Sequence, residues 1–249
     1  MIDIHSHILP GIDDGPLEPL ESVKICRLAA NLGGEAMIAT PHQRHPAWWN
    51  TESKKLDILL NRLQKEVGDD LDLYLGAEIR VGQGFMDDLE AFDNSGLVSL
   101  AGSDYLLLEF ERRKLSVDPI QVVQDVRAAG WRPIVAHPEF IGGISEDLQL
   151  TRALVEAGAL LQVTAMSVTG NFGLEPKRYV ASLLDAGLVH FVASDCHGLR
   201  RRPPGLKNAF AKIKAKWGKE LAQKLTTENP RAVIENRPVE PLTVGTVTA

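Results

Sequence analysis

Met1-Ile2-Asp3-Ile4-His5-Ser6-His7 opens the chain, and its reading decides the fold. The apolar run Ile2 to His5 is extended in pattern and ends in two imidazoles. Side chains alternate faces along an extended segment, so His5 and His7 point one way and Ser6 the other. Two imidazoles on one face can share a cation. The pattern returns near the far end of the chain, where Asp195-Cys196-His197 follows the apolar run Leu188 to Ala193. Asp195 and His197 share a face there; Cys196 does not.

Working outward from these ends, seven short apolar runs read as parallel strands: Ile2 to His5, Ala36 to Thr40, Leu71 to Ala77, Tyr105 to Phe110, Pro133 to His137, Ala159 to Thr164 and Val189 to Ser194. Helical patterns lie between them. The first covers 17–32, with Leu20, Val23, Leu28 and Leu32 near i, i+3, i+4 spacing and Gly33-Gly34 as a stop. Others fall near 52–67, 118–129, 145–157, 174–186 and 205–226. Alternating β and α without a composition break predicts one α/β domain over residues 1–237, built as a closed or nearly closed β/α barrel. A doubly wound open sheet is the competing architecture. Residues 238–249, with no helical period, read as a surface tail.

A chain of 249 residues, 44% hydrophobic and 24% charged, suits a soluble globular domain with a substantial core. Its net charge of -6 offers polyanions no broad attraction, and Arg200-Arg201-Arg202 is the one dense basic run. General nucleic-acid binding is therefore not expected. No apolar stretch reaches the length of about 18 residues that spans a bilayer. A ligand-like histidine at position 5 leaves no room for a removable leader, so the expected location is the cytoplasm. In that reducing compartment Cys26 and Cys196 are expected as free thiols.

On these strands the candidate ligands recur at one end. His5 and His7 end the first, His42 follows the second, Glu78 follows the third, Glu109 ends the fourth, and His137 ends the fifth. Asp195 and His197 end the seventh, and Asp14 comes from the loop after His7. In a β/α barrel the C-terminal strand ends converge on one mouth, where active sites are built. Nine nitrogen and oxygen ligands exceed the four or five of a single ion, so two or three cations are expected. Imidazole and carboxylate without thiolate suit Mn²⁺, Fe or Zn²⁺. His45, in a loop, and His190, at the start of a strand far from the mouth, read as structural.

Together with MIDIHSHILPGIDDGP at 1–16, the segments TPH at 40–42, GAE at 76–78, LLEF at 107–110, AHPE at 136–139, SVTGNFG at 167–173, SDCH at 194–197 and RPP at 202–204 resemble the polymerase and histidinol phosphatase (PHP) superfamily. Within it the chain is most similar to the bacterial manganese-dependent protein tyrosine phosphatases of capsular and exopolysaccharide operons. The resemblance implies a distorted seven-stranded β/α barrel with a trinuclear centre. It assigns His5, His7, Glu78 and Asp195 to one ion, Glu78, Glu109 and His137 to a second, and Asp14, His42 and His197 to a third. Glu78 becomes the bridge, with Glu78, Asp195 and Arg202 in catalytic roles and Arg202 facing the substrate phosphate. Family members usually carry an arginine directly after the HPE glutamate; this chain has Phe140 there. That departure leaves Arg44, Arg112 or Arg113 to supply the missing guanidinium, or a substrate other than phosphotyrosine. Met166 replaces a small polar residue, and Trp48-Trp49 offers an aromatic wall for a tyrosyl ring or a loop packed on the rim.

The expected reaction is hydrolysis of phosphotyrosine by a metal-bridging hydroxide. The expected partner is a phosphotyrosine protein in polysaccharide biosynthesis, the tail of a bacterial tyrosine kinase, with Arg200 to Arg202 available to grip it. Four rivals remain. Cys196 to Arg202, CHGLRRR, fits the C-x5-R spacing of thiol-based phosphatases, but three arginines and two prolines make a poor phosphate-cradling loop. A small-molecule phosphatase acting on histidinol phosphate fits the absent arginine. A DNA 3′ exonuclease fits an acidic chain poorly. A metal-stabilised regulatory module without catalysis has no need of an open polynuclear centre.

Overall fold

Pro41 has no N–H to give a sheet ladder, and the second apolar run breaks there rather than running on as one strand. The computed structural model describes residues 1–113 and 115–239, so the predicted tail lies almost wholly outside the described residues. In chain order the elements are β1 (Ile2–Ser6), α1 (Pro19–Asn31), β2 (Ala36–Ala39), β3 (His42–Gln43), α2 (Ser53–Val67), β4 (Asp72–Leu75), β5 (Glu78–Arg80), α3 (Phe85–Glu90), α4 (Phe92–Ser95), β6 (Tyr105–Glu109), α5 (Pro119–Ala128), β7 (Arg132–Ala136), α6 (Leu148–Glu156), β8 (Leu160–Thr164), α7 (Ala165–Thr169), α8 (Leu174–Asp185), β9 (Phe191–Ala193), α9 (Leu206–Trp217), α10 (Lys219–Gln223) and α11 (Asn229–Ile234).

All strand pairs are parallel, in a three-stranded sheet ordered β1-β2-β4 and a six-stranded sheet ordered β3-β5-β6-β7-β8-β9. The predicted barrel is thus not one continuous closed sheet. The second and third runs form β2 and β4, and beyond each, past Pro41 and past Gly76-Ala77, lies a further short strand, β3 or β5, that the sequence reading did not assign. A Cβ at Gly76 would come within 2.8 Å of both Ile38 and Leu100, so the crossing needs glycine there. Single backbone bonds bridge the breaks: Gly76 N donates to Ala39 O at 2.8 Å, and Glu78 N to Pro41 O at 3.1 Å. Between the first and last strands, Asp195 N donates to His5 O at 2.9 Å and His7 N to Cys196 O at 2.8 Å.

Strand alternation distributes the core. Tyr105, Leu107, Ile134, Ala136, Phe191 and Ala193 form a cluster among the strands, whereas Leu106, Leu108, Val135 and Val192 pack with helix residues such as Val123, Val126, Val180 and Leu183. Each such side chain contributes about 1.5–3 kcal/mol by leaving water. Continuing the Tyr105 and Leu107 face by two residues puts Glu109 at the strand ends. Helix boundaries follow local chemistry: Asp118 caps α5 through Ile120 N and Gln121 N, and Asp147 caps α6 through Gln149 N and Leu150 N. The predicted 145–157 helix accordingly starts at Leu148. The predicted 205–226 helix breaks at Gly218, whose φ of 97° ends α9. A π-helical turn over Lys224–Glu228 joins α10 to α11. The short helices α3, α4, α7 and α11 fall outside the sequence reading. Among the described residues no helix is long and apolar enough to cross a membrane.

Candidate metal centre

All nine predicted ligands meet in one cavity region at the strand ends. Their donor atoms form four groups within which every atom lies within 4.8 Å of the others. The groups are His5, His7 and Glu78; His5, His137 and Asp195; His42, Glu78 and Glu109; and His7, Asp14, His42 and His197. Eight of these side chains are buried or nearly so, while Asp14 is 41% exposed and reaches in from its loop.

The spacing tests whether cations fit. Donor atoms about 2.1 Å from a single ion lie about 3.4 Å apart at tetrahedral corners. His5 Nε2 lies 3.3 Å from His7 Nε2, 3.5 Å from Glu78 Oε2 and 3.4 Å from Asp195 Oδ1. His7 Nε2 lies 3.3 Å from the same Glu78 oxygen and 3.6 Å from the same Asp195 oxygen. Asp14 Oδ1 sits 3.5 Å from His42 Nε2 and 3.1 Å from His197 Nε2. Glu78 Oε1 is 2.7 Å from His137 Nε2. His42 Nδ1 approaches Glu78 Oε2 to 2.9 Å off the line of a hydrogen bond, and it and Glu109 Oε2 are buried without a hydrogen-bond partner. These donors fit two or three hard or borderline cations.

Supporting residues orient the imidazoles. His5 Nδ1 donates to Gln162 Oε1 at 2.8 Å, and His7 Nδ1 to Asp13 Oδ2 at 2.8 Å, which turns both Nε2 atoms toward the cluster. Asp13 also accepts from His42 N and Gly15 N. Two of the nine have left-handed backbones, His137 at φ 33° and Asp195 at φ 52°, a conformation L-residues adopt under constraint.

The electrostatics are those of packed carboxylates. Burial alone would lower the His7 imidazole, but the Asp13 carboxylate outweighs it and raises the group to about 9. Burial likewise opposes, and Glu78 overcomes, in lifting His42 to about 11. Asp195 falls to about 2 because His5 and Arg202 overcome the effect of its burial. Negative potential of this strength favours bound cations.

Arg202 Nη1 donates to His197 Nε2 at 2.9 Å and Arg202 Nη2 pairs with Asp195. The cavity, about 600 Å³, is also lined by Arg80, Glu111, Arg112, Arg113, His45 and Trp48. His45, read from sequence as structural, lines the cavity and stacks against both His42 and Trp48, with ring centroids 4.9 and 4.8 Å away. Trp48 lies nearly parallel to His42, at 9°. Trp49 is not among the lining residues and lies beneath the Arg44 guanidinium. Arg44 is withdrawn as well: it is buried, pairs with Asp88 and donates to Gln83 O at 2.8 Å. His190 is a core residue whose Nδ1 accepts from Leu161 N at 3.1 Å. Met166, on α7, is not among the lining residues. Asp13, Gln162 and Arg80 escaped sequence assignment to the site, whereas Arg112 and Arg113, two of the three candidates for the missing guanidinium, do line the cavity. Only Asp13, beside Asp14 in IDDG, carried a local signal.

Cys196 is fully buried with Ile8, Leu9 and Cys26, and burial holds its thiol well above the usual range. His197 N and Gly198 N both donate to Arg202 O, at 2.9 and 3.3 Å. Cys196 is not among the residues lining the cavity, and these two amides of the would-be phosphate loop are turned to Arg202 O.

Comparison with known proteins places this geometry. Residues 1–235 match the family described as capsular polysaccharide synthesis, CpsB/CapC. The chain belongs to the CpsB/CapC family. Among CpsB/CapC relatives, the tyrosine-protein phosphatase YwqE of Bacillus subtilis is 35% identical over 244 residues, 96% of this chain and 93% of YwqE. The tyrosine-protein phosphatase CpsB of Streptococcus pneumoniae is 32% identical over 241 residues, 94% of this chain and 98% of CpsB. A crystal structure from a study of those two proteins, described as metal-dependent tyrosine phosphatases, superposes with a TM-score of 0.88 at 34% identity, covering 99% of this chain and 100% of that one.

Proposed function

We propose that this CpsB/CapC chain is a metal-dependent protein tyrosine phosphatase. One observation carries the reading: nine imidazoles and carboxylates form donor groups with atoms within 4.8 Å of one another, at the floor of a cavity that also holds Arg202, in a chain whose CpsB/CapC relatives bear that activity. Histidinol phosphate, the small-molecule alternative, lacks such support. The two sheets act together as a distorted seven-stranded barrel, with β2 and β3 one interrupted strand and β4 and β5 another; the backbone bonds across the breaks support this. Residues 1–237 form one domain.

His5, His7, Glu78 and Asp195 hold one ion, Glu78, Glu109 and His137 a second, and Asp14, His42 and His197 a third. Glu78 falls in two donor groups, which suits a bridge. The donor set contains no thiolate, and Mn²⁺ is the ion we infer, with Fe or Zn²⁺ as substitutes. Bound ions supply a water of lowered pKa and neutralise charge on the phosphoryl oxygens.

Glu78 and Asp195 fix the donor geometry, and the Arg202 fork turns its free N–H groups to the phosphate. Trp48 lines the cavity as an apolar surface for a tyrosyl ring. A phenolate leaves with a pKa of about 10, so no dedicated protein acid is required. The substrate is a phosphotyrosine protein, the tail of a tyrosine kinase in polysaccharide biosynthesis. Two buried free thiols agree with a reducing compartment, and the cytoplasm is the location we propose.

A panel of phosphotyrosine peptide, phosphoserine peptide, histidinol phosphate and single-stranded DNA, each with Mn²⁺ and with chelator, tests the proposal. Manganese-dependent, chelator-sensitive turnover of the phosphotyrosine peptide is expected. Faster turnover of histidinol phosphate or DNA would overturn it.

A further inference from the structure

Four arginines line the cavity, and two of them are committed. Arg80 Nη1 lies 2.9 Å from Glu109 Oε1, and Arg202 is held by Asp195 and His197. Arg112 and Arg113 are exposed and have no ion-pair partner among the described residues. Arg112 is nonetheless seated. Its Cζ lies 5.6 Å from the centroid of Phe140, which meets Phe172 edge to face at 5.2 Å and 88°. Phe172 in turn carries Arg202, at 6.0 Å. A chain of two rings thus links one guanidinium at the rim to another beside the carboxylates. The backbone reinforces it: Gly142 N donates to Arg112 O at 2.7 Å, and a Cβ at Gly142 would come within 2.8 Å of that oxygen and 2.9 Å of Arg113 O. Only glycine admits this approach of the two loops.

A guanidinium resting on an aromatic face keeps its N–H edge free for a planar oxyanion, and the ring holds it against the entropy of a long side chain. Arg202 sits against Asp195 at the reacting end, whereas Arg112 is exposed at the rim. We propose that Arg112, positioned by Phe140, is a specificity-determining residue that binds a second anionic group on the substrate, beyond the phosphoryl that reacts. That group is the carboxylate of an acidic residue or the phosphate of a neighbouring phosphotyrosine in the same peptide. The proposal rests on the phosphotyrosine reading, but its test needs no turnover.

Three peptides carrying a non-hydrolysable phosphonomethyl-phenylalanine are titrated calorimetrically into the manganese-loaded protein. Their flanks are neutral, acidic, or bear a second phosphonate. The natural chain prefers the second or third peptide over the first by about fivefold, the range of an ordered, partly exposed ion pair. Whichever of the two is preferred names the source of the anion. Arg112→Ala and Phe140→Leu abolish the preference, Arg112→Lys keeps part of it, and Phe140→Tyr keeps it. Arg62→Ala, which removes the same charge from α2, leaves it intact. Equal affinity for all three peptides, retention of the preference in Arg112→Ala, or its loss in Arg62→Ala overturns the proposal. Absence of phosphotyrosine turnover in the substrate panel would instead defeat the enzymatic reading while leaving this affinity ratio measurable.

Discussion

His5 Nδ1 donates to Gln162 Oε1 at 2.8 Å, across 157 positions of sequence. The bond fixes the tautomer and rotation of the imidazole, so that Nε2 is the atom offered to His7, Glu78 and Asp195. Outer partners of this kind are worth roughly 10–100-fold in metal affinity. Gln162→Leu should therefore weaken manganese binding by that factor, with turnover recovering at high manganese. Unchanged affinity in a metal titration would show that packing alone orients His5.

Glu78 joins two donor groups and is 1% exposed. Glu78→Gln replaces a charged oxygen by an amide nitrogen that cannot ligate. Turnover of the phosphotyrosine peptide should fall to background, and elemental analysis should show less than the natural metal stoichiometry. A variant retaining full rate and full metal content would reject the bridge.

Cys196 tests the thiol alternative. Cys196→Ala should keep turnover within about twofold, since the side chain packs with Ile8 and Leu9 away from the cavity, and the lost sulfur should cost about 1–2 kcal/mol of stability. Chelator should inactivate both proteins. Inactivation by iodoacetamide with indifference to chelator would restore the thiolate mechanism.

His190 gives a pH signature remote from the ligands. Burial lowers its imidazole from 6.5 to about 4. Below pH 6.5 the unfolded chain binds a proton that the folded chain refuses until about pH 4. The stability it contributes is complete above 6.5 and is lost as pH falls through that window, about 2 kcal/mol of it by pH 5. Urea denaturation at pH 7 and pH 5 should show a smaller decline for His190→Gln than for the natural chain. Parallel declines would mean that His190 titrates normally in the fold.

The nine candidate ligands were legible because chemistry of one kind recurred at the ends of apolar runs, and because parallel strands bring such ends together. The interruptions were not. The run Leu71 to Ala77 yields one strand that stops at Leu75, with β5 starting only at Glu78, and the crowding of Gly76 by Ile38 and Leu100 accounts for the break between them. Pro41 did carry a signal in its missing N–H. Gln162 alternates with Leu161 and Val163 like any strand polar residue, and nothing local ties it to His5. His45, Trp48 and Arg112 depend on loop paths, which side-chain periodicity does not encode. Arg44 and Arg112 were equal candidates in sequence, and a buried pairing with Asp88 separates them.

The contact between the first and last strands has a consequence for biosynthesis. His5 and His7 are synthesised nearly two hundred residues before Asp195 and His197. An ion that drew on both ends of the chain would be held only after almost the whole polypeptide had been made. Half-finished chains therefore lack part of the donor set that the first and last strands bring together.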